Sequence, residues 1–129
     1  MTAPSEQTFF EQIGGYPTIS RIVDVFYEGV ATDELLRPMY PEADLEPAKE
    51  RFALFLQQYW GGPTTFSERR GHPRLRMRHA PFEVTPTARD HWLKHFRHAL
   101  DVVALSPEHD AEFWHYVQRA AEFMINTPE

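Results

Sequence analysis

One histidine in this 129-residue chain stands where it can serve as a lone metal ligand. His79 lies in the run Arg74-Leu75-Arg76-Met77-Arg78-His79-Ala80-Pro81-Phe82, read as a short helical segment that Pro81 must terminate. Most metal-binding histidines come in pairs or with carboxylates. Haem supplies four equatorial nitrogens of its own and asks the protein for one axial group, so a single imidazole is enough. His79 is therefore the candidate metal ligand, provided the rest of the chain supplies a flat, apolar, aromatic-lined slot.

Other groups around it invite chemistry of their own. Arg69, Arg70, Arg74, Arg76 and Arg78 gather five of the thirteen basic side chains just before His79. They read either as a solvated charged surface or as partners for carboxylates such as haem propionates. His91, His95 and His98 fall at i, i+4 and i+7, a spacing that can hold zinc on one helix face. Trp92 and Phe96 define the buried stripe there, however, and no cysteine or obvious carboxylate set completes a fourfold site, so a zinc hydrolase is the weaker reading. His72 is read as a loop cap, and His109 and His115 as exposed.

The elements that must position these groups are helical almost throughout, with no sustained two-residue alternation that would suggest a sheet. Phe9, Phe10 and Ile13 make a short first element that Gly14-Gly15 stops. Ile19, Ile22, Val23, Phe26, Tyr27 and Val30 then follow the three-and-four spacing of one buried face. Asp33 caps a brief turn through Leu36, and Pro38 and Pro41 leave Met39-Tyr40 in an extended or bridging segment. A helix after Pro47 reaches about Trp60 with Ala48, Phe52, Phe55, Leu56 and Tyr59 on one face, until Gly61-Gly62-Pro63 ends it. Residues 61–73 read as a long loop. Two long helices follow Thr85-Pro86 and Ser106-Pro107, the first carrying Trp92, Phe96, Leu100 and Val103, the second Phe113, Tyr116, Val117, Ala120 and Met124.

Composition excludes several classes. A chain of this length with 42% hydrophobic residues builds one core, so residues 1–129 are read as a single domain. Without cysteine there is no disulfide scaffold, iron-sulfur cluster or thiolate-ligated haem. A net charge of −6 argues against a nucleic-acid partner. No run of apolar residues is long enough for stable membrane insertion, and the first residues carry no signal pattern, so a cytoplasmic location is expected. A haem-free helical interaction module is a further alternative at this point.

An aromatic helix face, a histidine segment and a tryptophan-bearing helix together make a sandwich for a planar ligand. Tyr59-Trp60-Gly61-Gly62-Pro63 followed by Gly71-His72-Pro73-Arg74-Leu75-Arg76-Met77-Arg78-His79 resembles the group II truncated haemoglobins. Gly14-Gly15, Phe26-Tyr27, Tyr40-Pro41 and Trp92 match the family in order and spacing, and the resemblance covers nearly the whole chain. It implies an all-α, two-over-two helical sandwich around a b-type haem (iron protoporphyrin IX) held by His79. It also implies a distal cavity lined by Tyr27, Tyr40, Ala48, Phe52 and Trp92, with Ala48 where many globins carry a distal histidine. Phe52, Phe55 and Leu56 would meet the porphyrin by shape. Leu75, Met77, Arg78 and Phe82 are expected near it, and Arg51 and Tyr59 are weaker candidates for propionate contacts.

The physics of such a cavity follows from its donors. Dioxygen on haem iron draws negative charge toward its outer atom, and the phenols of Tyr27 and Tyr40 and the indole of Trp92 can donate to it. A hydrogen bond to a charged partner contributes roughly 1.5 to 3 kcal/mol, about ten- to a hundredfold in the rate of ligand escape. Tight binding suits conversion of nitric oxide to nitrate, with an external reductase restoring the iron. Peroxide reduction assisted by Tyr27, Tyr40 and Trp92 is a second catalytic expectation; oxygen storage or sensing without turnover is the alternative. Oxygen and other diatomic ligands are the expected partners, and a monomer or weak homodimer the expected state.

Overall fold

The computed structural model describes residues 7–71, 74, 79 and 83–128. Within them the chain is all-helical, as expected, and each helix begins for a local reason. α1 (Phe9–Gln12) starts at a reciprocal cap: the Thr8 hydroxyl accepts from the Glu11 N–H at 3.1 Å while the Glu11 carboxylate accepts from the Thr8 N–H at 3.2 Å. Gly15, with φ of 74°, turns the chain into α2 (Tyr16–Ala31) through backbone space that side-chain-bearing residues avoid. Pro47 lies in the first turn of α3 (Glu46–Tyr59). Thr85 and Ser106 cap α5 (Pro86–Val103) and α6 (Pro107–Met124) through their hydroxyls.

The stretch expected to be a loop after Trp60 contains a helix, α4 (Thr65–Arg70). Its reason is tertiary. Gln58 of α3 accepts from the Ser67 N–H at 2.9 Å and donates to the Ser67 hydroxyl at 2.7 Å, while Phe66 is buried against Phe55. Pro38, expected to interrupt, instead sits inside a 3₁₀ turn (Arg37–Met39), and Tyr40 alone takes the extended conformation. His109 is half-buried rather than exposed, with Nε2 3.2 Å from Gln12 Oε1 and its ring edge-on to Phe9.

The four long helices form two pairs, α2 with α3 and α5 with α6, joined where α2 packs along α5. At that junction Phe26 and Phe96, both fully buried, lie 5.6 Å apart, and Phe113 extends the row from α6. Removing a buried phenylalanine of this kind costs about 3–5 kcal/mol. Phe52 and Trp92 touch the same cluster yet remain half-buried, which marks the side of the core that protein atoms do not cover.

A polar clasp fastens the junction at one end. Asp33, just past α2, caps the following turn by accepting from the N–H groups of Leu35 and Leu36 at 2.9 and 3.0 Å. His95 Nε2 lies 2.7 Å and His91 Nδ1 3.0 Å from its other oxygen. The approach of the helices there is so close that a Cβ on Gly29 would stand 2.3 Å from the His95 ring. Burial pushes the Asp33 carboxyl up, but the His95 and His91 rings and the two backbone donors outweigh it and hold the group well below the usual carboxylate range.

Two outcomes are expected. Asp33→Ala, which removes both the cap and the histidine partner, should lower unfolding free energy by about 2 kcal/mol in urea titrations. A carboxyl whose pKa is depressed by folding stabilises fully above its unfolded value, near ~4, and loses that contribution as pH falls toward the folded value. Stability of the natural chain should therefore fall across this acid range more steeply than that of Asp33→Asn.

Candidate functional site

A cavity of about 650 Å³ is lined by all four long helices, within the ~300–1,000 Å³ typical of cofactor sites. α2 supplies Tyr27; the segment after it supplies Leu36, Met39 and Tyr40. α3 contributes Ala48, Arg51, Phe52, Phe55 and Leu56, α5 contributes Ala88, Arg89 and Trp92, and α6 contributes Tyr116, Val117, Ala120, Ala121 and Met124. His79 and Val84 line the same space.

The polar ends of three side chains converge within this mostly apolar lining. Tyr27 reaches it from the inner face of α2, its ring edge-on to Tyr40 at 5.6 Å. Tyr40 is held by its backbone: Arg37 donates to the carbonyls of Tyr40, Glu42 and Ala43 at 2.9, 2.8 and 3.0 Å, fixing the short extended segment. Trp92 is locked on α5 by stacking on Phe96 at 5.2 Å. Tyr27 and Trp92 both stand beside the Tyr40 hydroxyl. Burial, then the neighbouring Tyr40 and the hydrogen bond to it, push the Tyr27 phenol far up. Burial also pushes the Tyr40 phenol up, against the opposing effect of the neighbouring Tyr27 and Trp92 groups. Both phenols are therefore protonated at neutral pH and available as donors.

His79 is anchored from the far end of the chain. Asn126, just beyond α6, donates to the His79 carbonyl at 3.3 Å and accepts from the Val84 N–H at 2.9 Å. The backbone N–H groups of Asn126 and Thr127 both bond to the Val84 carbonyl, at 3.0 and 3.2 Å. Arginines border the cavity. Arg51 pairs with Glu42 at 2.7 Å, Arg89 with Asp90 at 2.7 Å and also with Glu122, and Arg70 lies 6.0 Å from the Phe66 ring.

This lining fits haem. The half-buried faces of Phe52, Phe55 and Trp92 need a flat apolar body, the His79 imidazole suits an iron axis, and the bordering arginines suit carboxylates. Bound there, haem would supply one open iron position for a diatomic ligand. Of the residues expected from sequence, Tyr27, Tyr40, Trp92, Phe52, Phe55, Leu56, Arg51 and His79 all line the cavity. Tyr59 is not among its lining residues; it is 49% exposed and stacked on Tyr116, which is. Leu75, Met77, Arg78 and Phe82 lie outside the described residues. Sequence reasoning passed over Asn126 and Arg37, whose roles are hydrogen bonds to distant or irregular backbone and leave no periodic signal.

Two helix pairs around one mostly apolar cavity, with a histidine, two phenols and an indole in its lining, define a globin pocket. Residues 8–126 match the bacterial-like globin family, and the chain belongs to it, as a group II truncated haemoglobin. It is 39% identical over 115 residues to group 2 truncated hemoglobin YjbI of Bacillus subtilis, covering 89% of this chain and 86% of that protein. A crystal structure of a thermostable haemoglobin from Thermobifida fusca superposes with a TM-score of 0.93 at 56% identity, covering 95% of this chain and all of that one. The structure of a truncated oxygen-avid haemoglobin from Bacillus subtilis superposes with a TM-score of 0.88 at 38% identity, over 93% of this chain and 100% of the other.

His79→Ala should abolish stable haem retention. Asn126→Ala removes the bond to the His79 carbonyl together with those from the Val84 N–H and the Thr127 hydroxyl, each worth about 1 kcal/mol, so at least roughly a fivefold change is expected. It should correspondingly speed haem loss, as followed by transfer to an excess of apomyoglobin.

Proposed function

We propose that this protein carries b-type haem on His79 and holds dioxygen tightly through donors from Tyr27, Tyr40 and Trp92. The absence of cysteine from the sequence supports noncovalent attachment, because thioether links to haem need cysteines. The reading is carried by the convergence of the buried Tyr27 and the half-buried Tyr40 and Trp92 in the cavity that His79 also lines. Haem supplies the iron position that takes the ligand; the chain supplies protons pointed at a ligand that gathers negative charge, in surroundings that exclude most water. A relative by fold from Bacillus subtilis described as oxygen-avid supports the same direction.

Slow release makes this a poor oxygen carrier and a better oxidant of nitric oxide. Nitric oxide, dioxygen and one electron together give nitrate, so an electron donor outside this domain is part of the proposal. Peroxide reduction is the second reading, favoured by the oxidisable Tyr27, Tyr40, Trp92 and Tyr116 side chains around the same cavity. Rates with nitric oxide and hydrogen peroxide on one preparation separate the two; negligible turnover with both leaves oxygen binding, storage or sensing. Trp92→Phe should accelerate oxygen dissociation by roughly ten- to a hundredfold, in line with one lost bond to a charged acceptor. Leu100→Ala, a deletion in the fully buried core, should change it far less; equal effects in stopped-flow would mean that indole donation is not the stabilising contact.

A further inference from the structure

We propose that Tyr116 and Tyr59 form a two-residue relay carrying single oxidising equivalents from the cavity to the surface, where Tyr59 takes electrons from small phenol-type reductants. The proposal rests on the reading of the pocket as a place where oxygen or peroxide is reduced.

The geometry is specific to this pair. Tyr116 lines the cavity from α6. Tyr59, the last residue of α3, stacks on it with ring centroids 3.9 Å apart and planes 21° from parallel, and is 49% exposed. Stacked π systems at this separation are in direct van der Waals contact, which is the condition for rapid electron exchange between them. One ring therefore borders the cofactor space while the ring against it borders water.

Proton bookkeeping selects the same pair. A phenol that loses an electron becomes a strong acid, so its oxidation near neutral pH needs somewhere for the proton to go. Tyr27 is buried, and Tyr40 is half-buried with its ring edge-on to it at 5.6 Å. Trp60, which packs on Tyr59 at 4.9 Å and Tyr116 at 5.4 Å, keeps a buried Nε1–H with no hydrogen-bond partner. Burial, with the adjacent Tyr59, pushes the Tyr116 phenol up, so it keeps its proton at rest. Of the stacked group Tyr59, 49% exposed, has the most solvent beside it to receive one, while Tyr116 and Trp60 are half-buried. Tyr16, also exposed, lines a different groove on α2 and α3.

In each event one electron passes from Tyr59 through Tyr116 into the cavity; Tyr116 is refilled at once and keeps its own proton, and the Tyr59 phenolic proton passes to water. A small phenol then returns one electron and one proton to Tyr59. Two such events, with two protons taken up at the cavity, reduce one hydrogen peroxide to two waters and release two phenoxyl radicals.

The test loads the chain with zinc protoporphyrin in place of haem and excites it beside a pentaamminecobalt(III) acceptor, which removes one electron from the porphyrin. A nitroso spin trap captures the resulting protein radical, and peptide mass spectrometry locates it. The relay predicts an adduct on Tyr59 in the natural chain. That adduct should be lost in Tyr116→Phe, move to Tyr116 in Tyr59→Phe, and be unchanged in Tyr16→Phe. An undiminished Tyr59 adduct in Tyr116→Phe, or adducts confined to other residues, overturns the relay. Light generates the oxidant without peroxide, so this result stands apart from the proposed function, which is tested separately by peroxide and nitric oxide turnover of the haem-loaded chain.

Discussion

The fold depends on covering apolar surface that its own atoms leave bare. Phe26, Phe96 and Phe113 are fully enclosed, yet Phe52, Phe55 and Trp92, in the same cluster or beside it, remain partly open toward a cavity bounded by all four long helices. In a chain this small, such a gap in the core is expensive unless a flat apolar group fills it. The porphyrin of a globin is thus part of the packing, and its binding contributes to the stability of the fold because the unfolded chain offers no equivalent slot.

The same dryness gives the polar groups their force. Phenols removed from water hold their protons, and a hydrogen bond made in poorly solvated surroundings competes with few alternatives. Tyr27 and Trp92 both flank Tyr40, which gives the three side chains one mutual arrangement. That arrangement is rigid because each member has a separate support: the α2 core face for Tyr27, the Arg37 lacing for Tyr40, the Phe96 stack for Trp92. The Asp33 clasp fastens α2 to α5 immediately before the Tyr40 segment and thereby joins two of these supports.

The periodic parts of the molecule were legible from residue order. The α2 stripe from Ile19 to Val30, the Thr85 and Ser106 caps, and the aromatic face of α3 rest on local rules, and the helices stand where those rules put them. α4 was not legible, because Gln58 and the burial of Phe66 form it and neither partner is marked by local propensity. His91 and His95 could be seen to share a helix side, but their common partner Asp33 lies 58 and 62 residues away. Tyr59 shows the limit within a helix: the face it shares with Phe55 and Leu56 is real, yet at the helix end that face turns past the cavity onto Tyr116.

By itself, then, the order of residues determined the four long helices, their buried faces and the types of side chain available to a haem: one histidine in a short segment, phenols, an indole and arginines. Tertiary packing decided which of them meet. Tyr27, Tyr40 and Trp92 come from three separate segments, the His79 segment is tied by Asn126 from beyond the last helix, and Tyr59 finds its partner across the fold. The physical reason is range: caps and periodic faces act over a few residues, whereas convergence on one cavity is fixed by how whole helices cross.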